Sequence, residues 1–204
     1  MKITLLGDSI FDNARYVNPD ERSVIEHLKA VGMDADLLAV DGSITLDVTR
    51  QLEKCSNLTS HFVISCGGND ALYAETVIST AITAQSLLHA LQNIQMDFRI
   101  NYHQLLAKMK ETGIPTFVCT IYDKIPHFSP EELTLLSIFN DVIISTATFF
   151  GYSVIDLRPL CNDPKDYSEL SPIEPSNQGG EKIANKIAST LKRWNPKFSK
   201  TVIF

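Results

Sequence analysis

The chain is short of basic side chains. Its 204 residues hold 18 lysines and arginines against 24 aspartates and glutamates, a formal net charge of −6, and the pI is about 5.3. No run of basic residues interrupts that balance, so the electrostatic footprint of a nucleic-acid binder is missing. No apolar stretch reads as long enough to span a bilayer. The amino terminus lacks a secretion signal, because its apolar run is one strand long and stops at Gly7-Asp8. A cytoplasmic protein with no membrane span is therefore expected. The four cysteines form no Cys-x-x-Cys pair, which argues against zinc and for free thiols. There is no internal repeat, linker or low-complexity segment. What is present is an ordinary globular composition, 44% hydrophobic and 21% charged, over a length that suits one α/β domain across residues 1–204.

Hydrophobic patterning divides the chain into alternating strands and helices. Short apolar, β-branched runs at residues 3–6, 35–40, 61–66, 116–120 and 152–157 read as buried strands of a parallel sheet. Helical periodicity appears over residues 21–31, 46–54, 74–91, 96–110, 130–150 and 176–194, with a break expected near Asn93. Gly32 and Gly151 follow two of these helices and Pro130 opens another, as their backbone preferences favour. Five strands alternating with helices predict a doubly wound α/β fold, a five-stranded parallel sheet with helices on both faces. The helical region 74–110 is either plain sheet cover or a lid or interface.

Polar residues gather where such a sheet does its chemistry, outside the carboxyl ends of the strands. Ser9 follows the first strand in Gly7-Asp8-Ser9. Gly42 follows the second, and Asn69 the third in Gly67-Gly68-Asn69-Asp70. Glu174, in the long connection after the fifth strand, can return to the same edge. Taken singly, each reads as turn chemistry. Together they supply the parts of acyl transfer: a serine hydroxyl as nucleophile, and a backbone N–H at a glycine with an asparagine amide to hold an oxyanion.

In these blocks the sequence resembles the SGNH (GDSL-type) hydrolases. That family carries Gly-Asp-Ser after its first strand, a glycine after the second, Gly-x-Asn-Asp after the third and Asp-x-x-His before the last helix. The resemblance spans essentially the whole chain. It implies a three-layer flavodoxin-like fold, Ser9 as nucleophile, and an oxyanion hole made of the Ser9 and Gly42 N–H groups with the Asn69 side chain. It also implies a small-molecule ester or acylated substrate and no cofactor.

The fourth block departs from the family pattern. Here the chain reads Ser171-Pro172-Ile173-Glu174-Pro175-Ser176, so Glu174 stands in the histidine position and Ser171 in the aspartate position. A carboxylate base forms no cation when it takes a proton, so loss of the orienting aspartate is consistent with loss of the histidine. Burial is what would raise a glutamate toward histidine-like basicity. Of the five histidines, only His127 follows a strand on the same edge, which makes it the alternative base. Asp8 and Asp70 read as turn-fixing side chains. The carboxylates of this edge match no metal-ligand spacing. Two functions follow: an esterase with Glu174 as its base, or a binding module that keeps the pocket and has lost turnover. A flavodoxin-like nucleotide site is disfavoured, since no strand-to-helix turn has a phosphate-cradling glycine pattern.

Overall fold

The computed structural model describes residues 1–78, 80–195 and 201–203. Its sheet comprises β1 (Lys2–Gly7), β2 (Asp34–Leu37), β3 (His61–Ser65), β4 (Thr116–Cys119) and β5 (Ser153–Ile155), all parallel, in the order β2-β1-β3-β4-β5. The chain steps outward from β1 to β2, then back across to β3. The switch point therefore lies between β1 and β3, where a doubly wound sheet opens its ligand crevice. Parallel strands covered on both faces need continuous apolar runs. The central strands meet that need with Ile3, Leu5, Leu6, Phe62, Val63, Ile64, Phe117 and Val118, all essentially inaccessible to water.

Among the described residues six α-helices accompany the sheet: α1 (Val24–Ala30), α2 (Thr45–Leu52), α3 (Gly68–Ile78), α4 (Ala84–Glu111), α5 (Pro130–Phe150) and α6 (Asn177–Arg193). Helix α1 packs on α6, while α4 packs on α2, α3 and α5. The bounds of α5 follow from local chemistry. The Ser129 hydroxyl accepts the Glu132 N–H, Pro130 occupies the first turn, and Gly151 closes the helix with φ of 75°.

Two expectations change. The helical break near Asn93 does not occur, since α4 runs unbroken through it. Asn93 is exposed there, and its amide reaches His89 one turn back (3.3 Å). The discontinuity precedes α4 instead, where Thr83 caps Ser86 N–H and starts a new helix. Helix α3 correspondingly begins at Gly68 rather than near residue 74. Helix α5, at 21 residues, is also long and apolar enough to cross a membrane by length and composition, contrary to the sequence reading. In this fold it is a core helix, with Leu135, Leu136, Phe139, Val142, Ile143 and Ala147 buried.

The second strand is shorter than its apolar run. Leu38 and Ala39 both donate to the Leu5 carbonyl, which breaks the regular ladder, but Val40 still reaches the Gly7 carbonyl (3.1 Å). The carboxyl ends of β1 and β3 are drawn together more tightly. Gly7 has φ of 132°, and a Cβ there would fall 1.7 Å from the Ser65 carbonyl oxygen, so only glycine fits. Gln51, buried on α2, locks this point with two bonds of 2.8 Å: its carbonyl accepts the Gly7 N–H and its amide donates to the Gly7 carbonyl.

Replacing Gln51 with leucine keeps the bulk but leaves the buried Gly7 N–H unsatisfied; the Gly7 carbonyl keeps Val40. The expected loss is about 1–3 kcal/mol, read as a lower urea midpoint at unchanged m-value. An unchanged midpoint would show that the Gln51 bridge carries no stability.

Candidate active site

Ser9 sits one turn past β1. The Asp8 carboxylate accepts the Ile10 N–H (3.1 Å), and the Asp8 carbonyl accepts from both Phe11 and Asp12. This tight turn holds the Ser9 side chain at the switch point, 6% exposed. Among the described residues no acceptor takes the Ser9 N–H or the Gly42 N–H. Across the switch point Gly67, with φ of 116°, turns the chain from β3 into α3 and presents Asn69. The Asn69 amide donates one hydrogen to the Ser43 carbonyl (3.0 Å), which leaves its second for a ligand. Asp70 accepts from the Thr45 N–H and hydroxyl (3.0 and 3.1 Å), tying the loop after β2 to α3.

Glu174 reaches this edge from the far end of the chain. The Ser9 hydroxyl donates to its Oε1 at 2.9 Å, a contact between residues 165 apart in sequence. Both neighbours of Glu174 are pinned. The Tyr122 hydroxyl, just past β4, donates to the Ile173 carbonyl (2.5 Å), and the Asn13 amide donates to the Pro175 carbonyl (3.1 Å). Asn13 is fully buried and also accepts the Val24 N–H at the start of α1 (2.9 Å). Beyond the turn, α6 begins so close to the preceding loop that a Cβ on Gly179 would lie 2.1 Å from the Asp166 carbonyl oxygen. Tyr122 goes unsignalled in the sequence beyond its place after a strand, and Asn13 carries only its nearness to Ser9.

Ser9, Asn69 and Glu174 line one cleft, with about 510 Å³ of space that opens to solvent. Gly42 is exposed in the adjoining loop with φ of 79° and is not part of the cleft lining. His127 is also exposed, in a left-handed conformation (φ 70°), and lies outside the lining although Ile125 and Phe128 on either side belong to it. None of the five histidines lines the cleft. Ser171 meets Glu174 only through its backbone carbonyl, which accepts the Glu174 N–H. Asp8 and Ser65 also line it, and the walls are otherwise mostly apolar, contributed by Ile10, Leu72, Ile121, Leu136 and Ile173 among others.

Electrostatically the cleft is acidic. Glu174 is 5% exposed, and its Oε2 has no hydrogen-bond partner among the described residues. Burial raises its carboxyl from the ordinary 4.5 to about 7; the bond from Ser9 works against that rise and the Asp41 carboxylate adds to it. Burial also pushes Asp8 well upward, assisted by the neighbouring Glu174 and Asp70 charges, and raises Asp70. None of these three carboxyls forms an ion pair within the described residues. No group of three or more His, Cys, Asp or Glu among those residues is placed to hold a metal ion. The four cysteines are free thiols.

Comparison with known proteins identifies the family and the fold. The model of the GDSL-like lipase/acylhydrolase family matches residues 5–182. No curated protein sequence matches the chain. Among solved structures, a lipase from a goat rumen metagenome, Lip_vut3, superposes with a TM-score of 0.69 at 19% identity, covering 93% of this chain and 96% of that one. The acetyl xylan esterase AlAXEase gives 0.63 at 20% identity, covering 94% and 100%. The psychrotrophic esterase EstA from Pseudoalteromonas sp., inhibited by monoethylphosphonate, gives 0.64 at 16% identity, covering 95% and 97%.

The raised carboxyl has a consequence for stability. The folded protein holds the Glu174 proton more tightly than the unfolded chain does. That contribution is complete below about 4.5 and is lost as pH rises through about 7. Above that range the buried charge is a net cost. Glu174→Gln should therefore unfold with greater difficulty than the parent at alkaline pH, by about 1–3 kcal/mol, and lose that gain progressively as pH falls from about 7 to about 4.5. Urea melts of both proteins across this range check it; a difference independent of pH would contradict the raised carboxyl.

Proposed function

Because the chain belongs to the GDSL-like lipase/acylhydrolase family, we propose that it is a serine-dependent ester hydrolase in which Glu174 replaces the usual histidine base. The observation that carries this reading is the 2.9 Å bond from the Ser9 hydroxyl to a buried carboxylate raised to about 7. At neutral pH a substantial fraction of Glu174 is ionised and is basic enough to take a proton, as general-base catalysis requires.

In the proposed cycle Ser9 Oγ attacks the ester carbonyl carbon as its proton passes to Glu174 Oε1. The negative charge moves from the carboxylate to the carbonyl oxygen, where the Ser9 N–H and the free hydrogen of the Asn69 amide receive it, joined by the Gly42 N–H only if the adjoining loop turns it toward the cleft. Collapse of the tetrahedral intermediate breaks the ester C–O bond, and Glu174 returns its proton to the departing alcohol. Water then repeats the sequence on the acyl-serine, with Glu174 again as base, and releases the acid. No step creates a cation, so none needs an aspartate at position 171. An acidic cleft without an ion pair favours neutral ester substrates over anionic ones. The small acyl esters suggested by acetyl xylan esterase neighbours and the longer ones suggested by lipases are both chemically open to this mechanism.

The absence of any histidine from the cleft lining favours a second reading, a binding module that keeps the pocket without turnover. A fluorophosphonate probe, together with p-nitrophenyl esters, decides between them. For the enzyme, Ser9 labels and the rate rises with pH through about 7. A free histidine titrates near about 6.5, too close for this limb alone to name the base, so variants decide. Ser9→Ala should abolish hydrolysis. Asn69→Ala should cost about a hundredfold to a thousandfold in kcat. Glu174→Gln should cost at least about a hundredfold, and His127→Gln little. An active Glu174→Gln beside a dead His127→Gln would transfer the base to His127. No hydrolysis and no label at Ser9 would leave the binding module.

A further inference from the structure

A chain of hydrogen bonds outside the cleft joins the segment after Ser9 to the connection that carries Glu174. That connection doubles back on itself, with Tyr167 and Pro175 as an antiparallel bridge and the Ser168 N–H on the Glu174 carbonyl (2.8 Å). The Ser168 hydroxyl donates to the carbonyl of Tyr16, the last residue of a 3-10 turn over Ala14–Tyr16. Tyr16 crosses the next gap with its side chain. Its hydroxyl donates to the Asp41 carboxylate (2.9 Å), in the loop after β2. Asp41 is gripped twice more: its N–H donates to the Asp12 carboxylate (2.9 Å), and its own carboxylate pairs with Arg15 (3.1 Å). Three hydrogen bonds, through Ser168 and Tyr16, therefore connect Glu174 with Asp41. The proposed cycle uses none of these partners of Glu174.

We propose that Tyr16 is a positioning residue that holds the Asp41 carboxylate near Glu174, so that a fixed negative charge outside the cleft makes Glu174 the stronger base. This rests on the reading of Glu174 as the base. An aspartate behind a histidine assists by attracting the cation that forms. Asp41 assists by repelling the anion that is consumed, with no ion pair to lock the base. The placement suits that task. The Asp41 side chain is 20% exposed, so water screens it only in part, whereas Arg15, its counter-charge, is 71% exposed. The Tyr16 phenol is raised by burial first, then by Asp41 and by the Glu174 charge, as befits a hydroxyl between two carboxylates. The other titratable neighbours are differently disposed. Asp8 and Cys66 share the cleft, and Tyr122 bonds the main chain beside Glu174; burial raises all three, which works against a charge on them. Asp70 is bound to Thr45 and Lys182 to Asp166, while Lys165 and Glu169 of the same connection are exposed.

The test follows kcat/KM for p-nitrophenyl acetate against pH, at low and high salt, in the unmodified protein, Asp41→Asn, Tyr16→Phe and Arg15→Gln. Circular dichroism checks that each variant folds. Asp41→Asn should move the rising limb down from about 7 by about half a pH unit. Relative to its plateau, the rate at pH 6 then rises about two- to threefold, because more Glu174 is ionised. The plateau itself falls about twofold, because a weaker base takes the proton less readily. Loosened packing would instead lower the rate at every pH and leave the limb in place. Tyr16→Phe should move the limb the same way by less, and Arg15→Gln the opposite way; all three shifts should shrink at high salt. A limb that stays or rises in folded Asp41→Asn overturns the proposal. A limb that falls there but stays in Tyr16→Phe overturns the part given to Tyr16. If Asp41→Asn does not fold, Tyr16→Phe decides in its place by the same criterion. If no ester is hydrolysed and Ser9 does not label, or if Glu174→Gln stays active, the reading of Glu174 as base fails separately. The Glu174 carboxyl is then titrated directly by carbon-13 NMR of glutamate-labelled protein, assigned with Glu174→Gln. A midpoint lowered in Asp41→Asn and Tyr16→Phe upholds the coupling, and an unmoved one overturns it.

Discussion

A carboxylate removed from water with a serine hydroxyl as its hydrogen-bond partner is costly, and the site is arranged around that cost. A paired buried carboxylate would sit below its ordinary range; Glu174 sits above it because burial strips its charge of water, and among the described residues neither a donor to Oε2 nor a paired cation offsets that. The unmet oxygen makes the group basic. A lysine or arginine nearby would stabilise the fold and weaken the base. Strain of this kind, localised and tolerated by a well-packed surrounding, is typical of sites that do chemistry.

The surroundings here are stiff. Glu174 lies in a long connection, where a backbone would ordinarily wander, but the carbonyls on either side of it are held by buried side chains from two strand ends, Tyr122 and Asn13. The connection is tied again where Ser168 donates to the Glu174 carbonyl and Ser176 to the Asp166 carbonyl. Asp166 is in turn held by Lys182 (2.7 Å) and Gln178 (2.8 Å) of α6, which keep its carboxyl below the usual range despite burial. Glu174 is thus positioned by hydrogen bonds to main chain, which leave its own second oxygen alone.

Most of the fold was legible because its signals are local. Apolar runs of strand length and helix caps such as Ser129-Pro130 and Gly151 declare themselves within a few residues. The exceptions have physical causes. Asn93 looks like a breaker, but an exposed asparagine in a long helix is tolerated when the helix has tertiary support; the cap at Thr83 governs where α4 starts. The ladder end at Leu37 depends on two donors competing for one carbonyl on another strand, which no local pattern encodes. At the site, Ser9, Asn69 and Glu174 were legible as residues at strand ends, and they line one cleft. Gln51, Asn13 and Tyr122 were not legible in these roles, because each acts on main chain far away in sequence. A polar side chain carries no mark of the carbonyl that it will meet.

The Ser9–Glu174 contact also orders events in time. A ribosome delivers β1 and Ser9 165 residues ahead of Glu174, whose turn comes immediately before α6. Chains emerge and begin to collapse from the amino terminus, so a growing chain holds the Ser9 hydroxyl long before it holds the carboxylate that the hydroxyl meets. The segment that covers α1 is continuous with the turn that completes this pair, so docking of α6 on α1 carries Glu174 toward Ser9.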